Sequence, residues 1–209
     1  MLVVRYSKSG GAEFISHLDT LRHLQKTVIR AGINVEYSQG FNPHMLIYMS
    51  SPIGAGLISY AEYFVILTDE SAGSFREKFN ANCPLGFCCE EAFYVYKNPN
   101  LAAVVDGAEY RLEGVPERVD VDGILSAEEF FVTDKKGERK NVRDKIKDLR
   151  FEGGSLYCKL DSGNSPLRAD LFAAELEQRY SFVVGDIIKT ESFIGWRNVK
   201  EAIKSAQRK

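Results

Sequence analysis

Apolar residues change their spacing along the first part of the chain, from alternation to a helical period. Residues 2–7 alternate weakly, which predicts a strand. Over residues 18–28 apolar side chains recur every three or four positions, and Ser16 with Asp19 forms a capping pair just before them. We therefore expect a helix over about residues 17–31, ended by a glycine.

The elements that follow complete a unit of four strands and two helices. Strands are predicted over residues 45–49 and 61–67, a helix over about 71–81 and a closing strand over 86–96. The order β-α-β-β-α-β is that of a ferredoxin-like fold, in which two helices cover one face of an antiparallel sheet. We expect the other face of this sheet to be open for binding.

The second half repeats this pattern more loosely. Strands are predicted at about 110–115, 130–133, 156–160 and 187–194, and helices at about 120–128 and 169–179. The predicted fold class is therefore α+β, with tandem ferredoxin-like lobes of which the second is irregular. The expected divisions are a first lobe over 1–98, a short linker over 97–108, a second lobe with a basic insertion over 108–195, and a basic helix or tail over 196–209.

Charge is distributed unevenly, although the formal net charge is only −2. Residues 51–134 hold five lysines and arginines against fifteen aspartates and glutamates, whereas residues 135–150 hold eight against three. Such a basic island steers a polyanion to one face, or it is an ordinary solvated hairpin, and the sequence leaves both interpretations open. No apolar stretch approaches the roughly 20 residues that span a bilayer, and the N-terminus lacks the apolar region of a signal peptide. We expect a cytoplasmic protein with no membrane partner.

Familiar catalytic and metal motifs are missing from the sequence. It contains no G-x-x-x-x-G-K-[ST] phosphate loop, no H-E-x-x-H zinc helix and no G-x-S-x-G nucleophile elbow. Its four cysteines form no C-x-x-C pair and lie far from the three histidines, so we expect structural thiols and not a zinc site. The sequence predicts no metal, no cofactor and no stand-alone enzyme of a familiar kind.

Two groups of cations are candidate phosphate contacts. Arg22, Lys26 and Arg30 are spaced four residues apart on the predicted helix, so about 6 Å separates neighbours, close to the spacing of successive nucleic-acid phosphates. An ordinary solvated helix face is the alternative. The second group lies in the basic island and includes Lys135, Arg139, Lys140, Arg143 and Lys147.

A loop rich in glycine, asparagine and proline is the second kind of candidate. Residues 38–44 read Ser-Gln-Gly-Phe-Asn-Pro-His, and loops of this kind often carry function on a rigid scaffold. His17 falls at the first position of the predicted helix, where exposed N–H groups and the helix dipole favour anions. We expect His17 and this loop to converge in one positively polarised hollow. In a catalytic alternative, His17 and His44 act as acid and base on a phosphodiester or a small substrate.

Aromatic residues accompany this loop. Tyr37, Phe41 and Tyr48 lie within it or close to it in the sequence. Such rings stack on unpaired bases in proteins that bind single-stranded nucleic acid. Packing in the core is the alternative and is favoured for Tyr48.

Several of these segments occur together in one bacterial family. They are Phe14 to Asp19 (FISHLD), Arg30 to Gly32 (RAG), Tyr37 to His44 (YSQGFNPH), Pro52 to Gly54 (PIG) and Glu62. Together they resemble the N-terminal signature of the radical-SAM-linked family, a domain of unknown function, over about residues 3–68. The family usually has a proline after the loop histidine, where this chain has Met45.

The resemblance implies a shared site and a partner but no established activity. Members are encoded beside, or fused to, a radical SAM protein, and this chain lacks the C-x-x-x-C-x-x-C triplet that holds the cluster of such enzymes. We therefore expect an accessory protein that binds RNA or another phosphate-bearing ligand for its partner. A pure protein-interaction scaffold is a further alternative. The candidate ligand-binding residues are Ser16, His17, Asp19, Arg22, Lys26, Arg30, Tyr37, Ser38, Gly40, Phe41, Asn42, Pro43, His44 and Glu62.

Overall fold

The computed structural model describes residues 1–207 of the chain. Its strands are β1 (Leu2–Lys8), β2 (Ile47–Met49), β3 (Ile58–Ile66), β4 (Phe87–Tyr94), β5 (Gly107–Leu112), β6 (Phe131–Thr133), β7 (Arg139–Asn141), β8 (Ile146–Glu152), β9 (Ser155–Asp161), β10 (Ile187–Ile194) and β11 (Arg197–Asn198). Its helices are α1 (His17–Arg30), α2 (Ala72–Asn82), α3 (Leu101–Val104), α4 (Val121–Ser126), α5 (Ala169–Tyr180) and α6 (Val199–Ala206). Short 3-10 helices span Ala12–Phe14 and Arg143–Lys145.

A single sheet runs through both halves of the described chain. Its main path has the order β4-β1-β3-β10-β5-β9-β8, while β2 pairs with β3 and β11 pairs with β10. The pairing of β3 with β10 is parallel, and the other pairings of this sheet are antiparallel. Strands β6 and β7 form a separate hairpin. The prediction of a mixed class with a mostly antiparallel sheet is confirmed.

The first two long helices cover one face of the N-terminal part of the sheet. Helix α1 begins as the capping pair predicts, because the Ser16 hydroxyl accepts a hydrogen bond from the Asp19 N–H at 3.2 Å. Of its predicted apolar stripe, Leu24 and Val28 are buried against the sheet, whereas Leu18 is exposed. On α2, Phe75 and Phe79 stack with their ring centres 5.7 Å apart, and both rings lie beside Phe64 of β3. This packing fixes the start of α1 over the end of β1.

The opposite face of this part of the sheet is also covered, so the expectation of an open face is wrong. Strand β1 is buried on both sides, and Val3, on the side away from α1 and α2, packs with Val65 of β3 in a second core. Helix α3 lies within the predicted linker and α6 within the predicted C-terminal segment, and each contributes buried residues to this core. Residues 208 and 209 of the predicted tail lie outside the described residues.

The second half has its own core on the face covered by α4 and α5. Phe130 and Phe172 lie with ring centres 5.6 Å apart, packed among the inward side chains of β5, β8 and β9. The last residues of the basic island belong to β8, a strand that the sequence did not predict. In β8, Ile146 and Leu149 are buried while the lysine and arginine side chains face outward. The many charged residues therefore masked the strand pattern in the sequence.

Candidate functional site

The junction between β3 and β10 holds buried charges. Only two residue pairs of the backbone ladder join these strands, Ile58 with Ile188 and Ser59 with Lys189. Next to this short ladder, the Lys189 ammonium donates to the Glu62 carboxylate at 3.0 Å. Lys189 is 7% exposed and Glu62 is 3% exposed, so the ion pair lies inside the protein.

A second lysine faces the same carboxylate. Lys8, at the end of β1, is 3% exposed, and its ammonium donates to the Ile15 carbonyl at 2.6 Å. Burial lowers the pKa of Lys8, and the charges of Glu62 and Glu13 oppose this shift. Burial, and then the charge of Glu62, raises the pKa of Tyr6 well above its ordinary value, so Tyr6 remains a neutral hydrogen-bonding group. Two buried lysines thus flank one buried glutamate.

A small hollow opens beside this cluster at the N-terminus of α1. It is lined by Tyr6, Lys8, His17, Thr20, Met49, Ser50, Pro52, Ile53 and Glu62. Its volume of about 10 Å³ matches one water-sized group. Thr20 is only 2% exposed, yet its hydroxyl oxygen has no hydrogen-bond partner. A buried hydroxyl of this kind costs free energy until something bonds to it.

A larger cleft adjoins the hollow and lies between the two halves. Its volume is about 610 Å³, within the range of pockets that hold small ligands. It shares Pro52 and Ile53 with the hollow. From the second half it is lined by Tyr110, Lys135, Ser162, Gly163, Pro166, Leu167, Arg168, Ala169, Asp170 and Lys189. Three cations and one carboxylate therefore line this space, and because Lys189 is paired with Glu62 and Arg168 with Asp170, the net positive charge of the cleft comes from Lys135.

The start of α5 adds donors to the cleft. Arg168 occupies the N-cap position and gives no side-chain cap, so the first N–H groups of the helix are not satisfied by a capping side chain. The Arg168 guanidinium bonds to the Asp170 carboxylate, with its Nε 2.9 Å from Oδ1. Ser162 places a buried hydroxyl with no partner on the same wall. This wall has the chemistry of an anion site.

The sequence comparison assigns the family. Residues 1–171 match the model of the family DUF2344, described as an uncharacterized protein conserved in bacteria. The chain belongs to the DUF2344 family. The matched residues of this DUF2344 chain include the hollow and most of the cleft, whereas Lys189 follows the match.

Two other comparisons add no function to the DUF2344 chain. No curated protein matches it. A crystal structure of an unknown protein from Galdieria sulphuraria is similar over 90% of this chain and 96% of that one, at 13% identity and a TM-score of 0.27. A TM-score of that size carries no structural or functional argument.

The predicted loop of the DUF2344 chain forms a closed hairpin. The Ser38 N–H donates to the His44 carbonyl at 2.9 Å, and the Ser38 hydroxyl lies 2.7 Å from His44 Nδ1. The base of the hairpin is attached where the Glu36 N–H donates to the Leu67 carbonyl, just past the end of β3. Of the loop residues, Gly40, Phe41, Asn42, Pro43 and His44 are all exposed.

The predicted convergence of this hairpin with His17 is not found. The hollow that His17 lines is bounded by residues 49–53, and no residue of 38–44 lines the hollow or the cleft. Across residues 1–207, no hydrogen bond or ion pair joins His17 to the hairpin. The hairpin base attaches at Leu67, past the end of β3, whereas the hollow beside His17 is lined by Glu62 in the middle of that strand. The two-histidine catalytic site has no geometric support.

The cation ridge on α1 of the DUF2344 chain is exposed but mostly engaged. Arg22 forms an ion pair with Asp19 at 2.8 Å, and the Ser16 hydrogen bond, followed by Arg22, lowers the pKa of Asp19. Arg30 donates to the Asn82 carbonyl at 2.8 Å, which ties α1 to the end of α2. Lys26 remains exposed on the same face.

The basic island is held largely by its own neighbours. Lys140 lies 2.8 Å from the Asp134 carboxylate, and Lys147 lies 3.0 Å from the Asp161 carboxylate. Arg143 donates to the Ile146 carbonyl at 2.8 Å and to the Leu125 carbonyl, so it is a structural group. Arg139 lies over the Phe131 ring with its guanidinium carbon 5.0 Å from the ring centre. Among the predicted island residues, only Lys135 lines the cleft.

Sequence reasoning identified Glu62, His17 and Lys135 but missed other polar residues of the site. Among these are Lys8, Thr20, Ser162, Arg168 and Lys189. The two missed lysines carried no clear signal, because each shares its strand with another charged residue, Arg5 in β1 and Glu191 in β10. Nothing in the sequence marks the buried hydroxyls.

Two structural absences apply to the described part of the DUF2344 chain. Within residues 1–207, no helix is long and apolar enough to cross a membrane. Within the same residues, no group of three or more histidine, cysteine, aspartate or glutamate side chains is arranged to hold a metal ion.

Proposed function

We propose that the chain is a non-catalytic accessory module that binds a phosphate-bearing ligand, RNA or a nucleotide, in the cleft between its halves and presents it to a radical SAM enzyme. The observation that carries the proposal is the cleft wall. It combines Lys135, Arg168 and Lys189 with the start of α5 and the buried Ser162 hydroxyl. Charged donors, helix N–H groups and a hydroxyl are the groups that bind phosphate oxygens.

The same geometry favours one phosphate group, or the end of a chain, over a long tract of backbone. Two of the three cations on the α1 ridge are bonded within the protein, and Lys140 and Lys147 of the basic island are paired with carboxylates. In the cleft, Arg168 and Lys189 are likewise paired, with Asp170 and Glu62, and Lys135 is the cleft cation without an ion pair among the described residues. If all three cations meet phosphates of a single strand, the logarithm of the affinity should fall with the logarithm of salt concentration with a slope of about 2, and if Lys135 alone does, with a slope of about 0.7.

The partner in this proposal follows from the sequence resemblance. The FISHLD and YSQGFNPH segments, beginning at Phe14 and Tyr37, resemble those of radical-SAM-linked proteins. Many radical SAM enzymes modify RNA, and this chain has no cysteine triplet for a cluster of its own. A ligand-presenting subunit fits both points by analogy.

The proposed architecture is a pair of ferredoxin-like units joined edge to edge. In the first half, β4, β1, β3 and β2 are neighbours in that order, and in the second half β10, β5, β9 and β8 follow the same plan. If the main strands of each half are numbered one to four along the chain, their order in the sheet is 4-1-3-2 in both halves. The β6–β7 hairpin is an insertion in the second half. The cleft lies where the two units meet.

The binding proposal is tested with a 5′-phosphorylated single-stranded RNA and a nucleoside monophosphate, using fluorescence anisotropy and calorimetry. Lys135→Ala should raise the dissociation constant about tenfold, the usual effect of losing one charged hydrogen bond. Lys136→Ala is the matched control, because Lys136 is the adjacent exposed lysine and does not line the cleft. Equal affinities of the two variants, or no binding by the unaltered protein, would rule out the cleft as the site.

A further inference from the structure

The hairpin over residues 36–46 presents an aromatic ring that the protein itself does not use. Phe41 is 106% exposed, so its ring makes no shielding contact with the rest of the described chain. Tyr37, at the start of the hairpin, and Tyr48, two residues past its end, are 44% and 43% exposed. Burial of a phenylalanine side chain is favourable, so Phe41 lacks a stabilising contact in the free protein.

The hairpin holds this ring in a defined position. Ser38 is bonded to His44 three times: N–H to carbonyl at 2.9 Å, hydroxyl to Nδ1 at 2.7 Å, and His44 N–H to the Ser38 hydroxyl at 3.0 Å. Gly40 has a φ of 136°, a conformation that other residues rarely adopt, and it turns the chain just before the ring. Such a tip binds at a lower entropic cost than a flexible loop.

The charge around the hairpin indicates which class of molecule it meets. Residues 31–75 contain no lysine or arginine, while Glu36 and Asp69 are exposed near the hairpin base. Binding to a nucleic acid relies on cations that neutralise phosphates, and this surface offers none from its own segment. An aromatic tip on an uncharged to weakly acidic surface instead fits an apolar pocket on a protein.

We propose that the hairpin is a docking element whose Phe41 ring enters an apolar pocket on a partner protein. The identity of that partner rests on the proposed function, which names a radical SAM enzyme. The hairpin and the cleft share no lining residue, so partner docking and ligand binding use separate surfaces. The module then holds its ligand in the cleft while the hairpin anchors it to the enzyme.

The experiment measures the affinity of the purified chain, by biolayer interferometry, for a radical SAM protein of the kind encoded beside members of the radical-SAM-linked family. Phe41→Ala should raise the dissociation constant about 30-fold or more, the effect of removing a buried aromatic anchor. Leu85→Ala is the matched control, because Leu85 is 92% exposed in the turn before β4, and it should leave the affinity unchanged. Ser38→Ala should weaken binding to a smaller extent, since it loosens the hairpin but keeps the ring.

The outcomes separate this inference from the function on which it rests. If the complex forms and Phe41→Ala binds as tightly as the unaltered chain, the docking role is wrong and the partnership stands. If no complex forms at all, the docking role of the hairpin and the proposed partnership are both wrong. If Phe41→Ala weakens RNA binding and leaves the protein complex intact, the ring stacks on bases and the docking role is again wrong.

Discussion

Lys189 and Glu62 form an ion pair of 3.0 Å across the junction of the two halves, with their side chains 8% and 4% exposed. The backbone ladder at this junction is only two pairs long, so side chains carry much of the connection. Farther along the same strands, the Ser192 hydroxyl donates to the Ala61 carbonyl at 2.9 Å. The ion pair also joins the hollow to the cleft, because Glu62 lines the hollow and Lys189 lines the cleft. Stability and the candidate site therefore depend on the same residues.

Glu62→Gln should lower the free energy of unfolding by about 3–5 kcal/mol, the cost of leaving a buried charge without its partner. The glutamine keeps the shape of the side chain but leaves Lys189 without its carboxylate partner, while Lys8 keeps only the charge of Glu13 nearby. Adding Lys189→Met should recover part of this loss, because the unpaired charge of Lys189 is removed. Urea unfolding of the two single variants and the double variant measures the coupling.

An exposed ion pair supplies the control for this cycle. Arg22 and Asp19 lie 2.8 Å apart with side chains 67% and 50% exposed, and removal of such a pair changes stability by about 1 kcal/mol or less. Arg22→Ala should therefore have a small effect. Additive effects of the Glu62 and Lys189 substitutions would show that the buried pair is not coupled.

Buried tyrosines should make the protein lose stability in alkali. Burial is the main cause that raises the pKa of Tyr110 in the cleft wall, and the charge of Glu62 adds to the shift. The unfolded chain loses the tyrosine proton from its ordinary pKa of 10.0 upward while the folded chain keeps it. The contribution of Tyr110 is thus fully present below pH 10 and is lost as the pH rises above it. In Tyr110→Phe, the free energy of unfolding should fall less steeply with pH above 10 than in the unaltered protein. Denaturant titrations at several pH values measure this slope, and an unchanged slope would refute the assignment.

Gly86 should be the most sensitive glycine near the end of β1. A Cβ atom there would lie 2.2 Å from the Ser9 carbonyl oxygen, and the backbone φ is 88°. We expect Gly86→Ala to cost at least about 2 kcal/mol, from both the clash and the backbone strain. Gly137→Ala isolates the strain, because its φ is 81° and nothing lies within 4 Å of the added atom. Thermal unfolding of both variants compares the two costs. Equal decreases in stability for Gly86→Ala and Gly137→Ala would contradict the clash.

The elements with strong local signals could be predicted from the sequence. Helix α1 has both a side-chain cap and an apolar stripe, and it begins at His17 as predicted. The start and end of β10, Ile187–Ile194, also match the prediction. The covered second face was missed because α3 is one turn long and because α6 lies in the segment predicted as a basic helix or tail, for which no packing against the sheet was expected. Short helices owe their stability to packing and not to local pattern, so sequence alone does not reveal them.

The candidate site was harder to predict than the fold. Glu62 and His17 were found through motif resemblance, but the predicted second wall, the hairpin ending in His44, lies elsewhere. The true second wall comes from residues about a hundred positions later, Ser162 to Asp170. Proximity of this kind depends on which strands are neighbours, and the parallel contact of β3 with β10 has no local sequence signal.

The unpartnered hydroxyl of Thr20 allows binding to be separated from stability. In the free protein this buried oxygen has lost its contact with water and gained no hydrogen bond, which costs about 1–3 kcal/mol. Thr20→Val keeps the branched shape and removes the oxygen, so it should raise the free energy of unfolding by about 1 kcal/mol while weakening any ligand that enters the hollow. Residues kept for binding commonly show this opposition between stability and function. Urea unfolding and phosphate-ligand titration of the same variant measure both effects, with Thr133→Val on an exposed strand position as the control. A loss of stability in Thr20→Val would mean that the hydroxyl bonds within the protein and that the hollow is structural.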